Sequence, residues 1–71
     1  GVVTNKFGAT LKISTLISDA EVEKIYPASG GTVFIIEDGK IRYGNIGEVQ
    51  IEDEILLRSR ASAVKEVVIF R

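Results

Sequence analysis

The sequence predicts an α+β domain, in which a mostly antiparallel sheet of about four strands packs with two short helices. The predicted order of elements is β-α-β-β-β-α. Three observations indicate this fold. Residues 9–17 alternate as a strand does, Ser18–Glu21 match a helix-capping box, and Asp38-Gly39 marks a tight hairpin between two apolar segments.

Length and composition place the chain among small globular domains. It has 71 residues, of which 45% are apolar, and a net charge of -1. A chain this short buries only roughly 60% of its unfolded surface, so a solitary core is marginal. We therefore expect self-association or a longer polypeptide to supply further burial. Residues 1–8 are expected to be a flexible lead-in, and residues 9–71 a single domain.

The residue types present exclude several classes of function. The chain contains neither Cys nor His, which removes thiolate chemistry, disulfides and the commonest transition-metal ligands. The nine basic and ten acidic residues nearly balance, so the chain lacks the basic excess that is typical of proteins that bind nucleic acid polymers. No apolar run approaches the roughly 20 residues that span a bilayer, so direct membrane insertion is not expected. We predict a protein that is not an enzyme and has no cofactor.

The first strand and the first helix are predicted from residues 9–27. Leu11 and Ile13 alternate with polar residues, and β-branched side chains favour a strand there. In the capping box the Ser18 hydroxyl would accept a hydrogen bond from the Glu21 amide, opening a helix of about two turns. Val22 and Ile25 would form its apolar edge, and Pro27 would end it.

The middle of the chain is predicted to be a run of strands. Thr32–Ile36 is a compact apolar strand, and Asp38-Gly39 is the strongest short-range hairpin signal. Lys40–Tyr43 is the returning strand, and a loop over 44–47 follows. Ile55–Leu57 has three consecutive apolar residues, which predicts a central strand covered on both faces.

The tail, Ser59–Phe70, is predicted to be a closing helix. Ser59 is the expected N-cap, and Ser62 is the rival. The β-branched residues near the end weaken helix propensity, so a terminal strand over Val67–Phe70 is the alternative.

Two groups of charged residues are candidate binding sites. Acidic side chains cluster near the centre of the chain and offer oxygen ligands for a divalent cation, although a solvated turn explains them better. Arg42 and Arg58 would form a small phosphate-binding face if they lay on neighbouring strands, although solvated strand positions are the simpler interpretation. The acidic cluster consists of Glu48, Glu52, Asp53 and Glu54.

The segment Thr32–Phe70 resembles the regulator-of-K+-conductance C-terminal domain, the RCK_C or TrkA-C family. That family combines an apolar strand, a charged-residue-Asp-Gly hairpin, a Gly-Asp pair, a further apolar strand and a closing helix. The chain departs from the family at Glu52, where Gly is preferred, and at Tyr43, where Pro usually follows the hairpin. The resemblance is carried by Val33–Ile36, Asp38-Gly39-Lys40, Val49, Asp53, Ile55–Leu57 and Ala63–Phe70.

The resemblance implies a cytoplasmic regulatory domain of a potassium channel, a potassium uptake system or a related ion transporter. Members of the family form homodimers, and some hold a small nucleotide such as cyclic di-AMP at the dimer interface. On this resemblance the ligand contacts follow the hairpin, at Ile41, Arg42 and Tyr43. The alternative is an interaction or assembly module unrelated to transport, whose exposed strand edges pair with a partner chain.

Overall fold

The computed structural model describes residues 1–61 and 63–71 and shows a protein built from β-strands. The α+β prediction, with four strands and two helices, is wrong, because the described residues contain seven strands and only a single turn of 3-10 helix, Ile46–Glu48. The strands are β1 (Val2–Phe7), β2 (Thr10–Ile17), β3 (Ala20–Pro27), β4 (Thr32–Glu37), β5 (Lys40–Gly44), β6 (Glu54–Arg60) and β7 (Ala63–Phe70).

The strands form one mixed sheet in the order β3-β2-β1-β6-β7-β4-β5. Among the described ladders only the pair β7 and β4, next to the β5 edge, is parallel, and the remaining neighbours are antiparallel. β3 and β7 are not neighbours in the sheet, yet they contact each other. The sheet is therefore strongly curved, and its inner face encloses the core.

The core is made of aliphatic side chains from both halves of the sheet. Leu11 comes from β2, Ile35 from β4 and Ile69 from β7, and all three are fully buried. Alternation along each strand places these residues on the inner face. The buried cluster consists of Val3, Leu11, Ile13, Ala28, Val33, Ile35, Val49, Ile55, Val64, Val67 and Ile69.

Residues 1–8, expected to be a lead-in, contain β1. Val3 is fully buried, and its amide donates to the Asp53 carbonyl at 3.0 Å. The Gly1 carbonyl accepts a hydrogen bond from the Ile55 amide at 2.8 Å. These bonds join β1 to β6 and connect the two halves of the sheet. We call β1, β2 and β3 the three-stranded unit, and β6, β7, β4 and β5 the four-stranded unit.

The helix predicted to begin at Ser18 is wrong, because those residues form the β2–β3 hairpin. Ser18 and Asp19 have φ of 50° and 65°, the left-handed conformation of a two-residue hairpin turn. Val22 and Ile25, expected to share a helix face, lie on opposite faces of β3. A helix of only two turns has marginal stability on its own, whereas β3 is stabilised by pairing with β2 along its whole length. The strand therefore forms instead of the helix.

The closing helix predicted over Ser59–Phe70 is also wrong. Ser59 lies in β6 rather than at an N-cap, and the rival cap Ser62 lies outside the described residues. The alternative prediction of a terminal strand over Val67–Phe70 is confirmed by β7. β-branched side chains suit a pleated surface better than a helix, and β7 gains strand partners on both sides, β6 and β4.

The Asp38-Gly39 hairpin is confirmed. It joins β4 to β5, and Asp38 and Gly39 have φ of 54° and 75°. A type I′ turn requires positive φ at both central residues, which explains the preference for this dipeptide. The prediction of a strand over residues 9–17 is confirmed by β2.

Candidate functional site

The candidate site is the outer face of the four-stranded unit. Residues paired across neighbouring strands lie on the same face of a sheet, so the strand registers define which side chains share this surface. Its apolar residues, which we call the apolar outer face, are Phe34, Ile36, Ile41, Tyr43, Leu56, Val68 and Phe70.

These side chains form two rows that run across the strands. In one row Tyr43 pairs with Phe34, Phe34 with Val68, and Val68 with Leu56. The Phe34 and Tyr43 rings lie 5.3 Å apart between centroids in a tilted arrangement. Such aromatic pairs add stabilisation beyond the burial of their area. The second row consists of Ile41, Ile36 and Phe70, with Glu54 at its end.

Much of the apolar outer face is open to solvent. Tyr43 is 76% exposed, Ile41 is 69% exposed and Leu56 is 58% exposed. Phe34 and Val68, between them, are half-buried. Scattered exposed apolar residues are normal in proteins, but a contiguous patch of several aromatic and aliphatic side chains marks an interaction surface.

The outer face of the three-stranded unit has a different character. Lys12 Nζ lies 3.5 Å from Glu23 Oε2, and Thr4 Oγ1 donates to the same carboxylate oxygen at 3.1 Å. Ser14 Oγ donates to Glu21 Oε1 at 2.7 Å. Exposed apolar residues such as Leu16 are interspersed with these charges. The continuous apolar surface therefore belongs to the four-stranded unit.

The ligand-binding residues expected from the resemblance are divided between the two faces of β5. Ile41 and Tyr43 belong to the apolar outer face. Arg42 pairs with the core residue Ile35 and therefore projects from the inner side. The three residues do not converge on one ligand position.

Arg42 is held by two carboxylates. Its Nη1 donates to Glu48 Oε1 at 3.1 Å, and its Nε lies 3.9 Å from Glu37 Oε1. Glu48 Oε2 also accepts a hydrogen bond from the Asn45 amide at 2.9 Å. The Asn45 amide, followed by Arg42, lowers the pKa of Glu48 below its ordinary value. The guanidinium of Arg42 is thus engaged within the protein.

The basic face considered for Arg42 and Arg58 does not form. β7 and β4 lie between the strands that carry these residues. Arg58 projects from the outer side, where its Nη1 lies 3.2 Å from Glu66 Oε1. The two guanidinium groups therefore lie on different strands and different faces, and each forms an ion pair with a different carboxylate.

Two members of the acidic cluster, Glu48 and Asp53, accept hydrogen bonds within turns. Asp53 Oδ2 accepts hydrogen bonds from the Gln50 amide at 2.8 Å and from Arg71 Nη2 at 3.1 Å. The bond to Asp53 raises the pKa of the Arg71 guanidinium. Across residues 1–61 and 63–71, no group of three or more acidic, His or Cys side chains is arranged to hold a metal ion.

An apolar cavity of about 200 Å³ opens beside the junction of the two units. Ile13, Tyr26, Ile55 and Leu57 line it together with Thr15. Sites for small molecules are commonly about 300–1,000 Å³ and contain several converging polar groups. This cavity is smaller and mainly aliphatic, so it is a weaker candidate than the apolar outer face.

Comparisons with known proteins supply no relative. No protein-family model, curated protein or solved structure matches the chain. The resemblance to the RCK_C family therefore gains no support and stays a prediction. In the described part of the chain, moreover, no helix is long and apolar enough to cross a membrane.

Sequence reasoning missed most of the apolar outer face. The sequence predicted Phe34 in an apolar strand and Val68 and Phe70 in the closing helix, although the three residues share one sheet surface with Leu56. A usable signal was present, since consecutive apolar residues in β4, β6 and β7 are typical of strands covered on both faces. This signal predicts that both faces of the four-stranded unit are packed against other parts of a protein. Within the described residues only the inner face is, against the three-stranded unit.

Proposed function

We propose that this protein is an interaction or assembly module that binds a partner protein through its apolar outer face. One observation carries the proposal. The four-stranded unit is apolar on both faces, but the three-stranded unit covers only its inner face. Strands with this composition are normally buried on both sides, so the outer face calls for a second cover.

The strand edges are the other surface that could take a partner. β3, at one end of the sheet, carries the charged side chains Glu21, Glu23 and Lys24, which discourage pairing with a further strand. β5, at the other end, has five residues and carries Lys40 and Arg42. The face offers more apolar area than either edge and is the better candidate.

A regulatory role in ion transport stays a prediction without structural support. It was inferred from a pattern that includes a closing helix, and β7 occupies that position. The predicted ligand residues Ile41, Arg42 and Tyr43 face two directions. The interaction module requires neither feature.

Cysteine labelling tests the proposal cleanly, because the natural chain has no cysteine. Ile41→Cys places a thiol on the apolar outer face, at a site that is 69% exposed. Leu16→Cys is the matched control on the three-stranded unit, where the native residue is 72% exposed. We expect the thiol at position 41 to react with a maleimide at least tenfold more slowly than that at position 16 in extracts of the native cell.

The same two variants, purified and dilute, give the reference rates. There the two thiols are expected to react at similar rates, because no partner covers either site. Equal reactivity in extract and in dilute solution would contradict a covered outer face. Slow reaction at position 16 instead would place the interaction on the three-stranded unit.

A further inference from the structure

We infer that the partner is a second copy of this chain, stacked face to face so that β5 of one copy lies over β6 of the other. The inference rests on the proposed function, since it names the partner of the same apolar outer face. The two-fold axis runs parallel to the strands, between β4 and β7. The product is a sandwich in which each copy supplies the second cover of the other.

The sizes of the side chains favour this axis. The bulky aromatic residues Phe34 and Tyr43 lie on β4 and β5, whereas the smaller Val68 and Leu56 lie on β7 and β6. The axis places Tyr43 over the Leu56 position of the other copy and Phe34 over its Val68 position. In the second row the axis places Phe70 over Ile36, and Ile41 over Glu54 at the rim. Each of the three aromatic residues thus meets a smaller side chain, which suits two sheets about 10 Å apart.

The position of Glu54 favours the same axis. Glu54, at the β6 corner, is exposed. The axis places the Glu54 carboxylates of the two copies at opposite edges of the sandwich, and Lys40, on the inner side of β5, takes no part in the contact. A two-fold axis across the strands would instead place β6 over β6 and bring the two Glu54 carboxylates near each other, where like charges disfavour association.

The area is sufficient for a dimer. Tyr43, Ile41, Leu56 and Phe70 are between 43% and 76% exposed. With the half-buried residues of the face, the exposed area is on the order of 500–600 Å² per copy, so complete coverage in a dimer removes about 1,100 Å² in total. Biological interfaces generally exceed about 1,000 Å². The face is therefore just large enough for a homodimer.

Cross-linking between two different variants tests the arrangement. Ile41→Cys and Glu54→Cys change opposite corners of the face and leave the central pairs intact. The axis places position 41 of one copy over position 54 of the other, at about the 10 Å separation of stacked sheets. Positions 41 and 41 are about three strand spacings apart laterally, as are 54 and 54, giving roughly 17 Å.

A bis-maleimide with a span of about 10 Å is added to each variant alone and to their equimolar mixture. We expect covalent dimers in the mixture, at least fivefold above either variant alone, and sedimentation of the unmodified chain as a dimer at high concentration. Dimers from Glu54→Cys alone would overturn the proposed axis. A concentration-independent monomer would overturn the second copy as the partner.

The labelling rates described above separate the two proposals. A monomeric purified chain whose position-41 thiol is protected only in extract would overturn the homodimer and leave the interaction face supported. A position-41 thiol that is unprotected both in extract and in the concentrated purified chain would overturn both. Protection that appears in the purified chain on concentration supports both.

Discussion

The carboxylate of Glu48 organises the end of β5. It accepts hydrogen bonds from the Asn45 amide and from Arg42, at 2.9 and 3.1 Å. This arrangement holds Arg42 on the inner side of the strand. Because neighbouring residues of a strand point to opposite faces, the same arrangement keeps Ile41 and Tyr43 on the outer side.

The pH dependence of stability tests this role of Glu48. Its pKa is lowered from 4.5 in the folded protein because the ionised form accepts these bonds. A lowered folded pKa contributes stability above the unfolded pKa, and this contribution is lost as pH falls through the folded pKa. We expect the unfolding free energy of the natural protein to exceed that of Glu48→Gln at pH 7, and the difference to shrink steadily below pH 4.5.

Urea denaturation at several pH values measures this difference. Glu52→Gln is the control, because Glu52 lies in an exposed turn outside the contacts with Asn45 and Arg42. A difference for Glu48→Gln that stayed constant between pH 7 and pH 3 would show that ionisation of this carboxylate does not support the turn.

Alternation along a strand predicts that Ile41 and Tyr43 share one face, and β5 places them so. The sequence could not show which face of the strand the core would occupy. That choice depends on distant residues, such as Leu11 and Val3, whose packing a local pattern does not encode. The three predicted ligand residues lie on two faces of β5, and the ligand site itself stays a prediction.

At the scale of elements, the β2–β3 hairpin shows how a local signal can mislead. Ser18–Glu21 satisfies the spacing of a capping box, but Glu21 accepts from Ser14 on the neighbouring strand. Ser18 and Asp19 adopt left-handed φ, which is costly for residues with a side chain. Pairing of the two strands along all eight residues of β3 offsets this cost.

Asp19→Gly discriminates the hairpin from the helix. In the hairpin, glycine relieves the left-handed strain at φ of 65°, and we expect the unfolding free energy to rise by about 1 kcal/mol. In a helix the same change would lower it by up to about 1 kcal/mol. Thermal unfolding followed by circular dichroism measures the shift.

Ala20→Gly is the matched control for this experiment. Ala20 is the first residue of β3 and lies outside the left-handed turn, so glycine there adds only backbone freedom. We expect a small loss of stability from this change. Destabilisation by both substitutions would argue against the hairpin.

The elements that sequence reasoning placed correctly have strong local causes. Asp38-Gly39 fixes its own turn, and dense β-branched residues indicate the strand that became β2. The tail was predicted mainly as a helix beginning at Ser59, with a terminal strand as the alternative. Of the two partners of β7, β6 precedes it directly in the chain, whereas β4 is about 30 residues away, and pairing over that distance has no local signature.

At the scale of the whole molecule, the four-stranded unit is apolar on both faces, but only its inner face is packed within the described chain. The curved three-stranded unit buries the inner face of the four-stranded unit, and its own outer surface mixes charged residues with exposed apolar ones. Chains of this size form small cores, so a second apolar interface adds stability that the monomer lacks. Association through the apolar outer face, which is the proposed function, would also supply the burial that the small core lacks.

The central claim is that copies of this protein associate with each other through the apolar outer face. Backbone amide chemical shifts, followed from micromolar to millimolar concentration, test it most directly because they locate association on the surface. We predict concentration-dependent shifts at Phe34, Tyr43 and Val68, with constant shifts at Ser14 and Glu23 on the outer side of the three-stranded unit. Shifts confined to the three-stranded unit, or none at any concentration, would contradict the account.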